Sequence, residues 1–256
     1  MIDTSRPHPA RIYDYLLGGK DNYEVDELAG DELVATTPGV RMSARANRAF
    51  LQRAVRYVVQ CGIRQILDIG AGLPNSPNVH EIAHTVAPHA RVAYIDNDPI
   101  VKAHADALLR TSDTISTALA DLRDPQSIVR HPDIRQVIDF DEPIALILGA
   151  VLHFVTDAEQ PQRLVATLRN VLPAGSFLVL SHATADFADS TRARAVYDRA
   201  TATLNPRPRA EVQQFFTGFE LVEPGLTQAP LWRPDAPTSA RPGQVGIYGG
   251  VAHKAH

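Results

Sequence analysis

A chain of 256 residues, 45% of them apolar, has the size of one domain with an added lobe and enough material for a sizeable core. Its formal net charge of −4 argues against a nucleic-acid partner, because phosphate contacts need a basic face. The single cysteine, Cys61, leaves no disulfide framework or thiolate metal site; with no signal-peptide stretch at Met1–Pro7 and no run of transmembrane length, a cytoplasmic protein without a membrane partner is expected.

Residues 8–60 read as helical. Ala10 to Leu17 is a short helix stopped by Gly18-Gly19. Lys20 to Val34 is mixed and acidic, and Thr37-Pro38-Gly39 is a turn. Ser43 is the expected cap of a helix running to Gln60, whose apolar residues Phe50, Leu51, Ala54, Val55, Val58 and Val59 recur at helical spacing. The arginines between Arg41 and Arg56 then form its solvated face. Gly62 ends the helix, with Cys61 as buried filler. Gly19-Lys20 is no phosphate loop, since the upstream glycine and the following Ser or Thr are absent.

From Arg64 strands alternate with helices, the pattern of a parallel α/β sheet. The first strand, Gln65-Ile66-Leu67, breaks into Asp68-Ile69-Gly70-Ala71-Gly72, a strand entering a tight turn. Glycine lets such a turn approach a nucleotide closely. A dinucleotide fingerprint needs a third glycine where Asn75 stands. Asp68 would also repel a pyrophosphate but suits a cationic amino-acid end, which favours S-adenosylmethionine over NAD. The H-E-x-x-H sequence His80-Glu81 to His84 matches a helical zinc pattern, but it lies where the first sheet helix must pack and lacks a third ligand, so no metal is expected.

Asp96 ends the second strand, Arg91 to Asp96, roughly twenty residues past the glycine turn, where a carboxylate accepts from ribose hydroxyls. Asn97 follows it as a further cofactor candidate, and Asp98-Pro99 reads as a capped helix start. The third strand, Thr114 to Leu119, leads to Asp121 and Leu122, candidates for the adenine amino group and ring. Helices are expected at 78–87, 99–110 and 125–131. The fourth strand is Ile144 to Leu148, a helix runs from Gln160 to Leu172, and the fifth strand is Ser176 to Ser181. Helices near 189–203 and 209–216 precede a last pair of strands, Phe219 to Val222 and Val245 to Tyr248. The prolines between them, Pro224 to Pro242, indicate an ordered loop. His153 and His182 follow the fourth and fifth strands at the same edge as the three acids and are candidate proton acceptors. The alternative for each is a histidine satisfied by backbone groups.

Together these motifs resemble the class I S-adenosylmethionine-dependent methyltransferases, and more narrowly a bacterial S-adenosyl methyltransferase family first catalogued as a domain of unknown function. The likeness rests on Ala10 to Tyr23, Ala46 to Leu51, Leu67 to Pro74 with its Leu73-Pro74 pair, Tyr94 to Pro99, Leu152-His153-Phe154 and Trp232-Arg233-Pro234. It implies a Rossmann-like α/β fold, a seven-stranded sheet with an antiparallel last strand. An N-terminal helical lid over 1–60 would cover a cofactor domain over 61–256. It also implies that Arg11, Tyr13 and Asn22 meet the methionine end, and that the Gly149 carbonyl receives the cofactor amino group. The expected function is methyl transfer to a small-molecule acceptor. A cofactor sensor without turnover and a nicotinamide oxidoreductase are the alternatives.

Overall fold

Several helices begin where a polar cap meets proline. In the computed structural model, which describes residues 4–109, 112–187, 189–237 and 243–255, helix α1 (Pro9–Leu17) starts behind the capping side chain of His8. Its end is set by Gly18, whose positive φ of 87° lets its N–H return to the carbonyls of Asp14 and Tyr15. Helices α2 (Glu24–Thr36) and α3 (Val40–Gln60) follow. The expectations that rest on Met1 to Asp3, Arg110 and Pro242 lie outside the described residues.

Strands β1 (Gln65–Ile69), β2 (Arg91–Asp96), β3 (Ile115–Leu119), β4 (Ala145–Gly149) and β5 (Phe177–Ala183) are parallel. Between them run α4 (Val79–Val86), α5 (Pro99–Leu108), α6 (Pro125–Arg130), α7 (Pro132–Val137) and α8 (Pro161–Val171). Helices α9 (Thr191–Tyr197) and α10 (Arg209–Gln214) precede β6 (Glu220–Leu221), β7 (Thr227–Gln228) and β8 (Ile247–His253). The sheet order is β3-β2-β1-β4-β5-β8-β6, with β8 antiparallel to β5 and the short β7 also paired to β8. The path therefore holds the seven strands implied by the resemblance, and β7 is an eighth.

Alternation along the buried strands gives each sheet face its own core. One face packs Ile66, Val92 and Val251 against Phe50 and Val55 of α3 and against Trp232. The other packs Leu67, Leu146 and Leu178 against Phe215 and Phe216. Helix α3 thus belongs to the sheet layers, whereas Ile12 and Leu16 of α1 and Leu33 of α2 pack with Val196 and Tyr197 of α9 in a separate cluster.

Three local readings need correction. Helix α3 begins at Val40 behind Gly39 (φ 84°), not at Ser43; the Ser43 hydroxyl instead accepts from the backbone N–H of Gly246 at 3.1 Å. Cys61 is exposed at the helix end rather than buried. The α3 arginines are not a plain solvated face. Arg41 donates to the Tyr15 carbonyl at 3.2 Å, and Arg48 donates to the carbonyls of Asn75 and Pro77. Arg53 clamps the carbonyls of Trp232 (2.9 Å) and Ala229 (2.8 Å), fixing the proline-rich loop.

Candidate functional site

Past Ile69 the backbone turns through Gly70 and Gly72, with φ of 74° and 68°. A Cβ on Gly70 would lie 2.5 Å from the Val151 side chain, so the turn needs glycine for space as well as for conformation. The N–H groups of Gly70 and Ala71 donate to the Ile95 carbonyl at 2.8 and 3.0 Å, and the N–H of Gly72 donates to Asp96 Oδ2 at 2.9 Å. The turn is thereby stitched to the end of β2.

This rim floors a cavity of about 610 Å³. It brings together Asp68, Gly70, Gly72, Asp96, Asn97, Asp121, Leu122 and Gly149 from the strand ends with Arg11 and Tyr13 from α1 and with His153. Asn22 is not among the lining residues: its amide donates to Asp14 at 2.8 Å and to the Gly19 carbonyl, closing the α1–α2 connection. His182 is not among them either.

Burial raises Asp68 to about 7; Arg48 opposes the shift and Asp96 adds to it. Asp68 accepts no hydrogen bond among the described residues. Burial also raises Asp96, against the N–H groups of Asp98 and Gly72 that its two oxygens accept. Burial would raise Asp121 too, but the Arg123 N–H, the Asn97 amide and the Arg123 guanidinium outweigh it and hold the carboxyl below its ordinary range. Arg11 is 1% exposed, with Nε 3.5 Å from Asp26 and 3.8 Å from Asp98. Its Nε and Nη1 nonetheless make no hydrogen bond, leaving a buried cation with unused donors at the cavity.

The two histidines differ. His153 Nδ1 accepts from the Ala183 N–H at 3.1 Å, which leaves the ring proton on Nε2. Burial first, then His182 and Arg207, hold its pKa well below the ordinary value, so the ring is neutral. His182 lies within β5, opposite Tyr248, and not beyond the strand end as read from the sequence. Its Nδ1 donates to the Ala183 carbonyl at 2.7 Å, and its Nε2 accepts from Arg207 at 3.1 Å. Burial brings its pKa to about 3, and both nitrogens are committed. Arg207 also binds the carbonyls of Leu152 and Val155 and the Asp157 carboxylate, fastening the turn that carries His153.

The H-E-x-x-H residues serve the fold. Glu81 closes a capping box with Asn78 at the start of α4. His80 meets the Tyr94 hydroxyl at 2.9 Å, and His84 donates to the Ala90 carbonyl at 2.9 Å.

Residues 1–255 match the model of a family described as S-adenosyl methyltransferase. The chain belongs to that family. It is 43% identical to a DUF574 family protein from Streptomyces avermitilis, over 99% of this chain and 100% of that one, with a TM-score of 0.95. A structure from Thermobifida fusca is 39% identical over 99% and 97% of the two chains, with a TM-score of 0.94. The N-methyltransferase NodS of Bradyrhizobium japonicum, solved with S-adenosyl-L-homocysteine, shares the fold at 16% identity over 96% of this chain and 100% of that one, with a TM-score of 0.51. No curated protein matches the chain.

The chain is therefore an S-adenosylmethionine-dependent methyltransferase, and the nicotinamide alternative falls away. The rim suits this cofactor on its own terms: Asp68 has no compensating hydrogen bond, Arg11 has unused donors, and above Gly72 no atom lies within 4 Å of a Cβ position. Sequence reasoning gave no site role to Asn47, Arg48, Leu51, Phe154 or Tyr197, all of which line the cavity. Asn47 carried a readable signal: it is a polar residue on the apolar stripe of α3, 1% exposed, and its amide donates to the Tyr13 hydroxyl at 2.9 Å. Among the described residues no helix is long and apolar enough to cross a membrane.

Proposed function

We propose that the cavity binds S-adenosylmethionine along the β1–β4 rim and a small-molecule acceptor beside it, under a lid made by α1 and α2. The supporting observation is the contrast within one cavity: two buried carboxylates at the strand ends, Asp68 and Asp96, with no ion pair among the described residues, and an apolar wall opposite. Bound there, the cofactor supplies a methyl group already activated on a positively charged sulfur. The protein's task is then alignment and exclusion of water, and orientation alone is worth about 7–11 kcal/mol of barrier.

In this reading Asp96 and Asn97 take the ribose, Asp121 and Leu122 the adenine, and the Gly149 carbonyl and Asp68 the ammonium group. Arg11 takes the carboxylate, with Tyr13 beside it. Asn22 supports this end indirectly, by holding the α1–α2 connection. His153 faces the acceptor as an N–H donor, because the lone pair of its Nδ1 is already used. His182 is a buttress behind it. The single cysteine, Cys61, leaves no disulfide that would need an oxidising compartment, in keeping with a cytoplasmic location.

Calorimetry with S-adenosylhomocysteine tests the assignment. Removing one carboxylate's charge-assisted bonds, each about 1.5–3 kcal/mol, should weaken binding at least about tenfold in Asp96→Ala. An unchanged affinity removes the ribose assignment.

A further inference from the structure

Away from the rim the cavity runs between the lid and α9. Its wall there includes Leu33, Val40, Phe154, Ala193, Tyr197 and Leu204. The Phe154 and Tyr197 rings stand 5.1 Å apart, tilted by 56°. The charged side chains that line the cavity are committed to other partners or to the cofactor end. Arg11 lies between Asp26 and Asp98, with its unused donors assigned above to the cofactor carboxylate, and Arg48 binds the carbonyls of Asn75 and Pro77. Arg123 binds Asp121 and Glu159. His8, which burial keeps mostly uncharged, lies against Asp98. Asp189, exposed at the mouth, accepts from the backbone and hydroxyl of Thr191. The remaining acids, Asp68, Asp96 and Asp98, sit at the rim.

A charged acceptor entering this half would lose its hydration and meet no protein counter-ion. A flat apolar ring would instead replace water against two aromatic faces. Two polar groups on the ring-bearing wall can orient it. His153 offers its Nε2–H, and the Tyr197 hydroxyl makes no hydrogen bond among the described residues.

Building on the cofactor assignment above, we propose that the methyl acceptor is an uncharged aromatic small molecule, seated against Phe154 and Tyr197 with a polar substituent turned to His153 and the Tyr197 hydroxyl. The test uses the wild-type protein saturated with S-adenosylhomocysteine and probes on one skeleton: naphthol, naphthylamine, naphthoate and naphthylmethylammonium. Near neutral pH the first pair is uncharged, and the second pair carries opposite charges. Fluorescence titration should show both neutral probes binding at least about tenfold more tightly than either ion. Tyr197→Leu should weaken the neutral probes about threefold or more while leaving S-adenosylhomocysteine affinity unchanged. Either ion binding as tightly as the neutral probes, or neither neutral probe binding the loaded protein, overturns the proposal. If S-adenosylhomocysteine itself fails to bind, the cofactor assignment falls, and this inference falls with it.

Discussion

Asp68 carries a cost that a cationic ligand would relieve. Its carboxyl titrates at about 7 in the folded chain against an ordinary 3.8. The folded chain therefore holds this proton more tightly than the unfolded chain, and stability declines as pH rises from about 4 to about 7. Above that range the ionised, buried group costs on the order of 4 kcal/mol. Asp68→Asn removes the cost. The ligand-free variant should melt at least about 3 °C above the parent near pH 8, with the difference vanishing near pH 4. Binding should change in the opposite sense. In the parent, affinity for S-adenosylmethionine should rise as pH increases through about 7, because the carboxylate must be ionised to meet an ammonium group. Titration calorimetry should find that rise absent in the Asn variant, with affinity near pH 8 lower by about tenfold. A variant whose pH profile matches the parent would place the ammonium group elsewhere.

Among the elements, β8 shows most plainly how packing overrides local preference. Gly249 and Gly250 weaken a strand in isolation. Here a Cβ on Gly249 would lie 2.9 Å from the Phe50 ring, and one on Gly250 would lie 3.0 Å from Phe216. The glycines let an aromatic ring press on each face of a central strand. Gly249→Ala should therefore destabilise the protein by about 1–3 kcal/mol, read by denaturant melts, and Phe50→Leu in the same chain should recover part of the loss. The glycine pair also hid this strand from sequence reading, which stopped it at Tyr248; it runs to His253. The end of β5 was also missed, without any glycine to hide it. Read as ending at Ser181, it placed His182 beyond the sheet, whereas the strand continues to Ala183 and seats that ring between Arg207 and a carbonyl. What could be read was chemistry tied to strand ends and caps. Asp68, Asp96 and Asp121 reach the cavity from three successive strand ends, and Asp98-Pro99 opens α5 as expected. The walls supplied by α3, Phe154 and α9 could not be read, because helical periodicity does not tell an apolar core face from a lining face.

At the scale of the molecule, α1 and α2 stand apart from both sheet cores and touch the rest through α9, through α3, where Arg41 and Asn47 bond Tyr15 and Tyr13, and through Arg11, placed between Asp26 of α2 and Asp98 at the start of α5. Elements held by a small cluster open more readily than those in a main core. Hydrogen exchange in α1 and α2 should therefore be faster than in β1 or β4 without ligand, and should slow markedly when S-adenosylhomocysteine is added. Equal protection in the two states would mean that these helices are a fixed wall and no lid.

The position of β8 bears on biogenesis. It is the latest strand in chain order, yet it fills a gap between β5 and β6. While the ribosome is still delivering the preceding segments, β5 must wait with one flank of N–H and C=O groups unpaired. A nascent chain in that condition is open to sticky encounters with its neighbours, and shielding by chaperones would matter most in that interval.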